Sequence, residues 1–236
     1  MKTNIFIAIP TYRDLTPGCV TSLLGLIPEL SSKRIGGKVR IWAGSDIVVS
    51  RNFLASLAFA DESVSHLLFI DSDMEFRPSA VSRMLDSGKP LIGCVYPKRE
   101  LKPAEVQQFV VYLPENTPLR ITSGMCVAEG IGMGLCLIAQ ETLRRLAETG
   151  KVRRDTAHSH LKDGLNGPLF GFFDPLIEAA HYCSEDLSFC RRWSLLCGGE
   201  TWAIVDEDMG HAGPFTFRGK FSDRLLKNTR ERDTSP

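Results

Sequence analysis

Residues 66–73 have the sequence HLLFIDSD, which runs from His66 to Asp73. A short apolar run closed by polar residues is typical of a β-strand that is buried on both faces of a parallel sheet. Asp71 and Asp73 follow the run at the spacing i, i+2, which places both carboxylates on the same side of an extended chain. Because open α/β sheets bind ligands beyond the carboxyl ends of their strands, we expect a functional site here.

Similar apolar runs and helical repeats alternate on both sides of this segment. Three further strands are predicted at Ile5–Ile9 before Pro10, at Val39–Ala43 and at Leu91–Tyr96. Helices are predicted after the capping pair Thr16-Pro17, over Ile47–Ala60 and from Arg77-Pro78 to Leu85. This alternation over the first hundred residues predicts an α/β fold with a mostly parallel central sheet flanked by helices.

The second half of the chain has a less regular pattern. Strands are predicted at Gln108–Tyr112, Gly124–Ala128, Gly134–Ile138 and Thr201–Val205. Helices are predicted at Gln140–Thr149 and Ser184–Leu196, with a polar loop over Lys151–Pro168. No repeat or low-complexity linker interrupts the chain, so we expect a single domain over residues 1–236.

Composition excludes several classes of protein. The 236 residues include 43% hydrophobic and 24% charged residues, which is ordinary for a globular chain. With 28 Lys and Arg against 28 Asp and Glu, the chain lacks the basic excess of a nucleic-acid binder. We find no secretory signal, and the longest charge-free apolar run, residues 130–139, is half of the ~20 residues that span a bilayer. A cytoplasmic protein is therefore expected.

The seven cysteines form no Cys-x-x-Cys pair, and Cys183, Cys190 and Cys197 recur every seven residues. On a helix, successive sulfurs of that row would lie about 10 Å apart, too far to share one zinc ion. We therefore expect reduced core residues.

Taken alone, Asp71 and Asp73 have two interpretations. Two carboxylate oxygens suit Mg²⁺ or Mn²⁺, which share their remaining positions with phosphate oxygens and water. The alternative is that aspartate at a strand end only caps a turn.

The order of motifs resembles the nucleotide-sugar glycosyltransferases of the GT-A fold, particularly the family 2-like group. Pro10-Thr11-Tyr12-Arg13 at the end of the first strand and Ser50-Arg51-Asn52 on the second helix precede the Asp-x-Asp motif. The resemblance covers about Ile5 to Gly213. It implies a GT-A-like (Rossmann-like) sheet with a smaller antiparallel acceptor-side part. Residues 1–100 would form the nucleotide-binding half, 101–215 the acceptor half and 216–236 a polar tail.

The resemblance also implies a reaction. A sugar would move from a UDP- or GDP-linked donor to a hydroxyl of a glycan, a lipid-linked molecule or another acceptor, with inversion. Asp186 would be the base that takes the proton of the acceptor hydroxyl, and Glu185 would position substrate. The alternative for Glu185 and Asp186 is a favourable helix start after Ser184.

The same resemblance implies a metal site and a nucleotide site. Asp71, Asp73 and His211 would hold Mn²⁺ or Mg²⁺, with Asp73 the more direct ligand, although a lone histidine is often only a satisfied polar residue. The residues implied in nucleotide binding are Pro10, Thr11, Tyr12, Arg13, Asp46, Arg51, Asp71 and Ser72. For Arg51, which lies on an apolar helix, an ion pair with Asp71 is the alternative.

Three weaker predictions complete the site. Arg218 and Lys220 would contact the diphosphate. Phe172 and Trp193 would stack against the acceptor sugar, unless they pack in the core. Gly130, Gly132 and Gly134 lack dinucleotide-binding spacing and would let the backbone pass close to donor or acceptor. From residue 217 onward, six Lys or Arg and three Asp or Glu leave positive charge for a diphosphate or an anionic membrane surface.

Two rival functions are a sugar-nucleotide nucleotidyltransferase and a non-catalytic nucleotide- or carbohydrate-binding module. The first would need a glycine-rich loop and a lysine after the first strand, and residues 10–13 offer neither.

Overall fold

In a computed structural model of the chain, residues 3–100, 107–115, 118–178 and 180–225 are described. The strands are β1 (Asn4–Thr11), β2 (Gly36–Ala43), β3 (His66–Ile70), β4 (Met74–Glu75), β5 (Leu91–Cys94), β6 (Val111–Tyr112), β7 (Met125–Ala128), β8 (Gly130–Ile131), β9 (Leu135–Ala139), β10 (Arg154–Asp155), β11 (Leu169–Phe170), β12 (Leu176–Glu178), β13 (His181–Cys183), β14 (Thr201–Ile204), β15 (Met209–Ala212) and β16 (Thr216–Gly219). The helices are α1 (Pro17–Ser32), α2 (Ile47–Ala60), α3 (Pro78–Ser87), α4 (Gln140–Glu148) and α5 (Glu185–Cys197), with a 3₁₀-helix at Ser159–Asp163.

The central sheet has seven strands in the order β2-β1-β3-β9-β5-β14-β7. Strands β1, β2 and β3 pair in parallel, as do β5 and β14, whereas β9 and β7 pair antiparallel with their neighbours. The predicted α/β class and mostly parallel sheet are confirmed. One feature of the strand order was not predicted. Strand β9, which comes from the second half of the sequence, lies between β3 and β5 of the first half.

Helices α1 and α2 start with a capping side chain. The Thr16 side chain accepts from the Cys19 backbone N–H, and Asp46 accepts from that of Val49 at 3.1 Å. Pro28 lies inside α1, yet the helix continues to Ser32, because packing of its apolar face outweighs one lost hydrogen bond.

Both faces of the sheet are covered by apolar clusters, which explains the unbroken apolar runs of its strands. On β1, Phe6 and Ala8 pack in the cluster that contains α2 and α5 residues. Ile5, Ile7 and Ile9 pack in the opposite cluster, with residues of α1 and α3.

Smaller antiparallel sheets complete the structure. Strand β15 pairs with both β4 and β16, so residues 216–219 form a strand where a polar tail was expected; residues 226–236 lie outside the described part. The predicted loop 151–168 includes β10 and the 3₁₀-helix. All seven cysteines are free, and Cys183 lies on β13 rather than on the helix of Cys190 and Cys197. Within the described residues, no helix is both long and apolar enough to cross a membrane.

Candidate active site

A cavity of about 530 Å³ opens at the carboxyl edge of the central sheet. It lies beyond the ends of β1, β2, β3 and β5 and beside the first turn of α5. Ten of the predicted site residues line it: Pro10, Thr11, Tyr12, Arg51, Asp71, Ser72, Asp73, Glu185, Asp186 and His211. Residues that are far apart in sequence therefore share one concave surface.

Backbone hydrogen bonds fix the loop that carries the two aspartates. The Asp71 N–H donates to the Gly134 carbonyl at 2.9 Å, and the Thr16 N–H donates to the Ser72 carbonyl at 2.9 Å. The Ala212 N–H donates to the Asp73 carbonyl at 2.8 Å. The loop is thus held by β9, α1 and β15 together.

Arg51 is the most buried charged residue at the cavity, with 3% of its surface exposed. Its Nη2 lies 3.1 Å from the Asp71 carboxylate and its Nε 3.3 Å from Glu185 Oε1. Burial alone would lower the pKa of Arg51, but the negative charges of Asp71 and Glu185 outweigh burial and raise it. The alternative considered for Arg51, an ion pair with Asp71, is present, and it extends to Glu185.

Asp73 contacts two basic side chains through one oxygen. Arg99 Nη1 lies 2.7 Å from Asp73 Oδ2, and His211 Nε2 lies 3.4 Å from the same atom. Burial would raise the pKa of Asp73, but the hydrogen bond and charge of His211, with the charge of Arg99, hold it below its usual range. Arg99 lines the cavity and was not predicted. The sequence feature that could have identified Arg99 as a site residue is its position just after the predicted strand Leu91–Tyr96.

The three predicted metal ligands do not form one cluster. Among the described residues, no group of three or more His, Cys, Asp or Glu side chains is arranged to hold a metal ion. Asp71 is paired with Arg51, whereas Asp73 faces Arg99 and His211.

Asp73 and His211 nevertheless fit a divalent cation as a pair. His211 Nδ1 lies 2.9 Å from the Pro97 carbonyl, so Nδ1 must donate there. Its Nε2 can then face the Asp73 carboxylate only if it carries a proton or if a cation lies between the two. An imidazole fixed by a carbonyl and opposed to a carboxylate is a donor set that suits Mn²⁺.

The start of α5 holds the two predicted catalytic carboxylates. Asp186 Oδ1 accepts from the Ser184 hydroxyl and, at 2.7 Å, from the Leu187 N–H. Both carboxylates lie at the positive end of the helix dipole, which is a favourable place for negative charge. The helix-start interpretation of Glu185 and Asp186 is therefore compatible with their facing the cavity.

Tyr96 forms part of the cavity floor and was not predicted. Its buried hydroxyl oxygen accepts from the Gly134 N–H at 3.3 Å, and its ring meets that of His211 edge to face. Burial, with the nearby charges of Asp71 and Asp186, raises the pKa of Tyr96 well above its usual range, so the hydroxyl keeps its proton. Gly132 and Gly134 were expected to approach a ligand, but a Cβ on either would overlap Tyr96.

We expect Gly132→Ala to destabilise the protein by about 1–3 kcal/mol, because the added methyl group must displace the Tyr96 hydroxyl in a packed site. Urea denaturation measures this change. Gly219→Ala is the control, since its Cβ would meet Phe109 at an ordinary 3.4 Å. Equal stability losses in both variants would contradict the packing argument.

The other predicted site residues lie away from the cavity lining. Phe172 and Trp193 are buried in the core, so the predicted acceptor contact is wrong and the core alternative is correct. Arg218 pairs with Glu75 and Asp208, and neither it nor Lys220 lines the cavity. The predicted diphosphate contact of these two residues stays a prediction.

Arg13 and Asp46 also lie outside the lining. The Arg13 guanidinium lies over the Tyr12 ring, 5.7 Å from its centroid, and Asp46 caps α2. Their neighbours Tyr12, Ser45 and Ile47 do line the cavity.

No family model and no curated protein sequence matches the chain. Among solved structures, A197 from STIV is 16% identical with a TM-score of 0.53, over 93% of this chain and 91% of that chain. GalNAc-T7, solved with UDP, GalNAc and Mn²⁺, is 11% identical with a TM-score of 0.50. That match covers 93% of this chain but only 44% of GalNAc-T7. The chain has a GT-A-like fold, which is what similarities at this identity show.

Proposed function

We propose that this chain is a divalent-metal-dependent glycosyltransferase that moves a sugar from a UDP- or GDP-linked donor to an acceptor hydroxyl with inversion. One observation carries the proposal. A single cavity at the carboxyl edge of a GT-A-like sheet is lined by an exposed aromatic ring, by carboxylates of two elements and by a histidine. Its volume of about 530 Å³ lies in the usual range for small-molecule sites.

Tyr12 is the residue that we assign to the nucleotide base. Its ring is 70% exposed at the rim of the cavity, so a base can stack on it. Pro10 and Thr11 line the wall behind the ring and can contact the ribose.

Asp73 and His211 would hold the divalent cation. Bound there, Mn²⁺ or Mg²⁺ would offset the charge that develops on the departing nucleoside diphosphate. Arg99 shares Asp73 Oδ2 with His211, so its guanidinium lies beside the same charge and can donate to a phosphate oxygen.

Asp186 is the proposed general base. Both hydrogen bonds that Asp186 accepts from the described residues fall on Oδ1, so Oδ2 is the oxygen that we assign to the proton of the acceptor hydroxyl. As that proton moves to Asp186, the acceptor oxygen bonds to the anomeric carbon and the bond from that carbon to the diphosphate oxygen breaks. Arg51 pairs with both Glu185 and Asp71, so its positive charge offsets part of the negative charge of these two cavity carboxylates.

We expect UDP or GDP to raise the melting temperature only when Mn²⁺ or Mg²⁺ is present. At a ligand concentration 100-fold above Kd, the stabilisation is about 2.7 kcal/mol, or roughly 5–10 °C for a chain of this size. Thermal shift with UDP, GDP and CMP, each with and without metal, measures it. No metal-dependent stabilisation by any nucleotide would overturn the proposal.

A second measurement separates an enzyme from a binding module. Nucleotide sugars that stabilise the protein are incubated with simple sugar acceptors, and released nucleoside diphosphate is measured. Binding without any release would favour the non-catalytic alternative.

A further inference from the structure

The exposed face of α1 carries no charged side chain. The one charged residue of the helix, Glu29, accepts from the Ser82 hydroxyl of α3. On the other side of the helix, Val20, Leu24 and Ile27 are 40%, 65% and 58% exposed. Three apolar side chains at helical spacing thus form a stripe that the described part of the chain leaves exposed.

This stripe continues onto β2. Val39 and Ile41 are 53% and 51% exposed, and they pair with Ile7 and Ile9 of β1. Paired residues of neighbouring strands point to the same face, and Ile7 and Ile9 pack beneath α1. Because α3 covers the far side of α1, the stripe lies on the β2 side. The α1–β2 face is defined by these five exposed residues: Val20, Leu24, Ile27, Val39 and Ile41.

Strand β2 is also an open edge. It pairs with β1 along all eight of its residues, and no other strand of the described part pairs with it. The N–H groups of Gly36 and Gly44 donate towards β1. Because N–H groups alternate in direction along a strand, those of the odd-numbered residues between Gly36 and Gly44 point away from β1. Lys38 and Arg40, which could protect such an edge, contact Asp61 and the Asp163 carbonyl on the opposite face.

We propose that the α1–β2 face binds a second copy of this chain through antiparallel pairing of β2 with β2. A lipid surface could cover the apolar side chains, but it would leave the outward N–H and C=O groups of β2 without partners, which is costly. A second β2 strand would provide hydrogen-bond partners for these N–H and C=O groups, and it would bury the apolar side chains of both α1–β2 faces. The interface would be isologous, as in most homodimers.

Charge selects the register of this pairing. Centring it on Arg40 would oppose two arginines, and centring it on Val39 would oppose Lys38 and Arg40. Centring it on Ile41 places Ile41 opposite its copy, Val39 opposite Ala43 and Arg40 opposite Trp42. That register opposes no like charges and puts a guanidinium beside an indole ring.

The size of the surface is consistent with a dimer. Five apolar side chains at about half exposure amount to roughly 400 Å², comparable with the largest apolar patches on monomeric proteins, which are often functional. A stable interface buries about 800 Å² per partner. The five side chains of the α1–β2 face would supply about half of this area, and the edge of β2 must contribute the rest.

The test is a pair of cysteine variants of the full chain under mild oxidation. Ile41→Cys is expected to form a disulfide dimer, because residues directly opposite in an antiparallel pair have Cα atoms about 5.5 Å apart, within disulfide range. Val127→Cys, on the opposite edge strand β7, is the matched control and should stay unlinked. The unmodified chain, whose cysteines are buried apart from the partly exposed Cys197, sets the background.

Sedimentation gives a second readout that needs no cross-link. The unmodified chain should be a dimer at micromolar concentration, and Leu24→Glu should weaken dimerisation about 100-fold or more, because two like charges are buried together. The melting temperature of the monomeric Leu24→Glu variant shows whether that variant is folded. A monomeric unmodified chain overturns the proposal, whether or not it binds anionic vesicles. A dimer that survives Leu24→Glu and leaves Ile41→Cys unlinked overturns it as well.

Discussion

Asp186→Asn is expected to leave binding of the nucleotide sugar intact and to lower the rate of transfer by about 10³-fold. The amide oxygen can still accept from Ser184 and Leu187, so the first turn of α5 should keep its conformation. An amide cannot take the proton of the acceptor hydroxyl at neutral pH. Binding measured by calorimetry and transfer measured by diphosphate release should therefore separate.

The control for this variant is Asp86→Asn, which removes a carboxylate of the same charge from a surface pair with Lys33. Its transfer rate should match that of the unmodified chain. If Asp186→Asn retained near-normal turnover, both the base assignment and the inverting mechanism would be wrong.

Asp73→Ala is expected to abolish metal-dependent turnover, a loss on the order of 10³-fold, since a bound cation supplies several kcal/mol of charge stabilisation. The same variant should lose the metal-dependent part of the thermal shift with nucleotide. His211 and Arg99 would also lose the carboxylate oxygen that they share.

A matched variant distinguishes a lost ligand from a damaged fold. Asp208→Ala removes a carboxylate that faces Arg218 outside the cavity, so its metal-dependent shift should be unchanged. Equal loss of the metal effect in both variants would contradict the role of Asp73.

Much of the fold was predictable because its strands are short, apolar and bounded by capping or turn residues. The run His66–Ile70 is buried on both faces, and the end of that run leads directly into the cavity. The position of β9 was not predictable, because a sequence pattern reports that a strand exists but not between which neighbours it inserts. The β15–β16 pair was missed because its strands are short, with mixed and partly exposed residues.

The cavity residues Asp71 and Asp73 were predicted because motif and strand end coincide, whereas Asp186 was predicted from the family resemblance. Arg99 and Tyr96 were missed because one arginine or tyrosine after a strand has no distinctive spacing, and only the fold brings them to His211 and Gly134. Phe172 and Trp193 show the converse error. Aromatic residues near a site in sequence are as suitable for a core as for a sugar platform, and burial decides between the two.

The insertion of β9 has a consequence for how this chain can be modified or can evolve. Residues 1–100 contain β3 and β5, which do not pair with each other but each pair with β9, so that stretch alone would carry a gap in its sheet. Arg51 would also lose Glu185, its partner from the far end of the chain. The sequences on the two sides of residue 100 are therefore not interchangeable segments. New binding preferences at the cavity must arise by substitution within one continuous unit, not by joining segments from different chains.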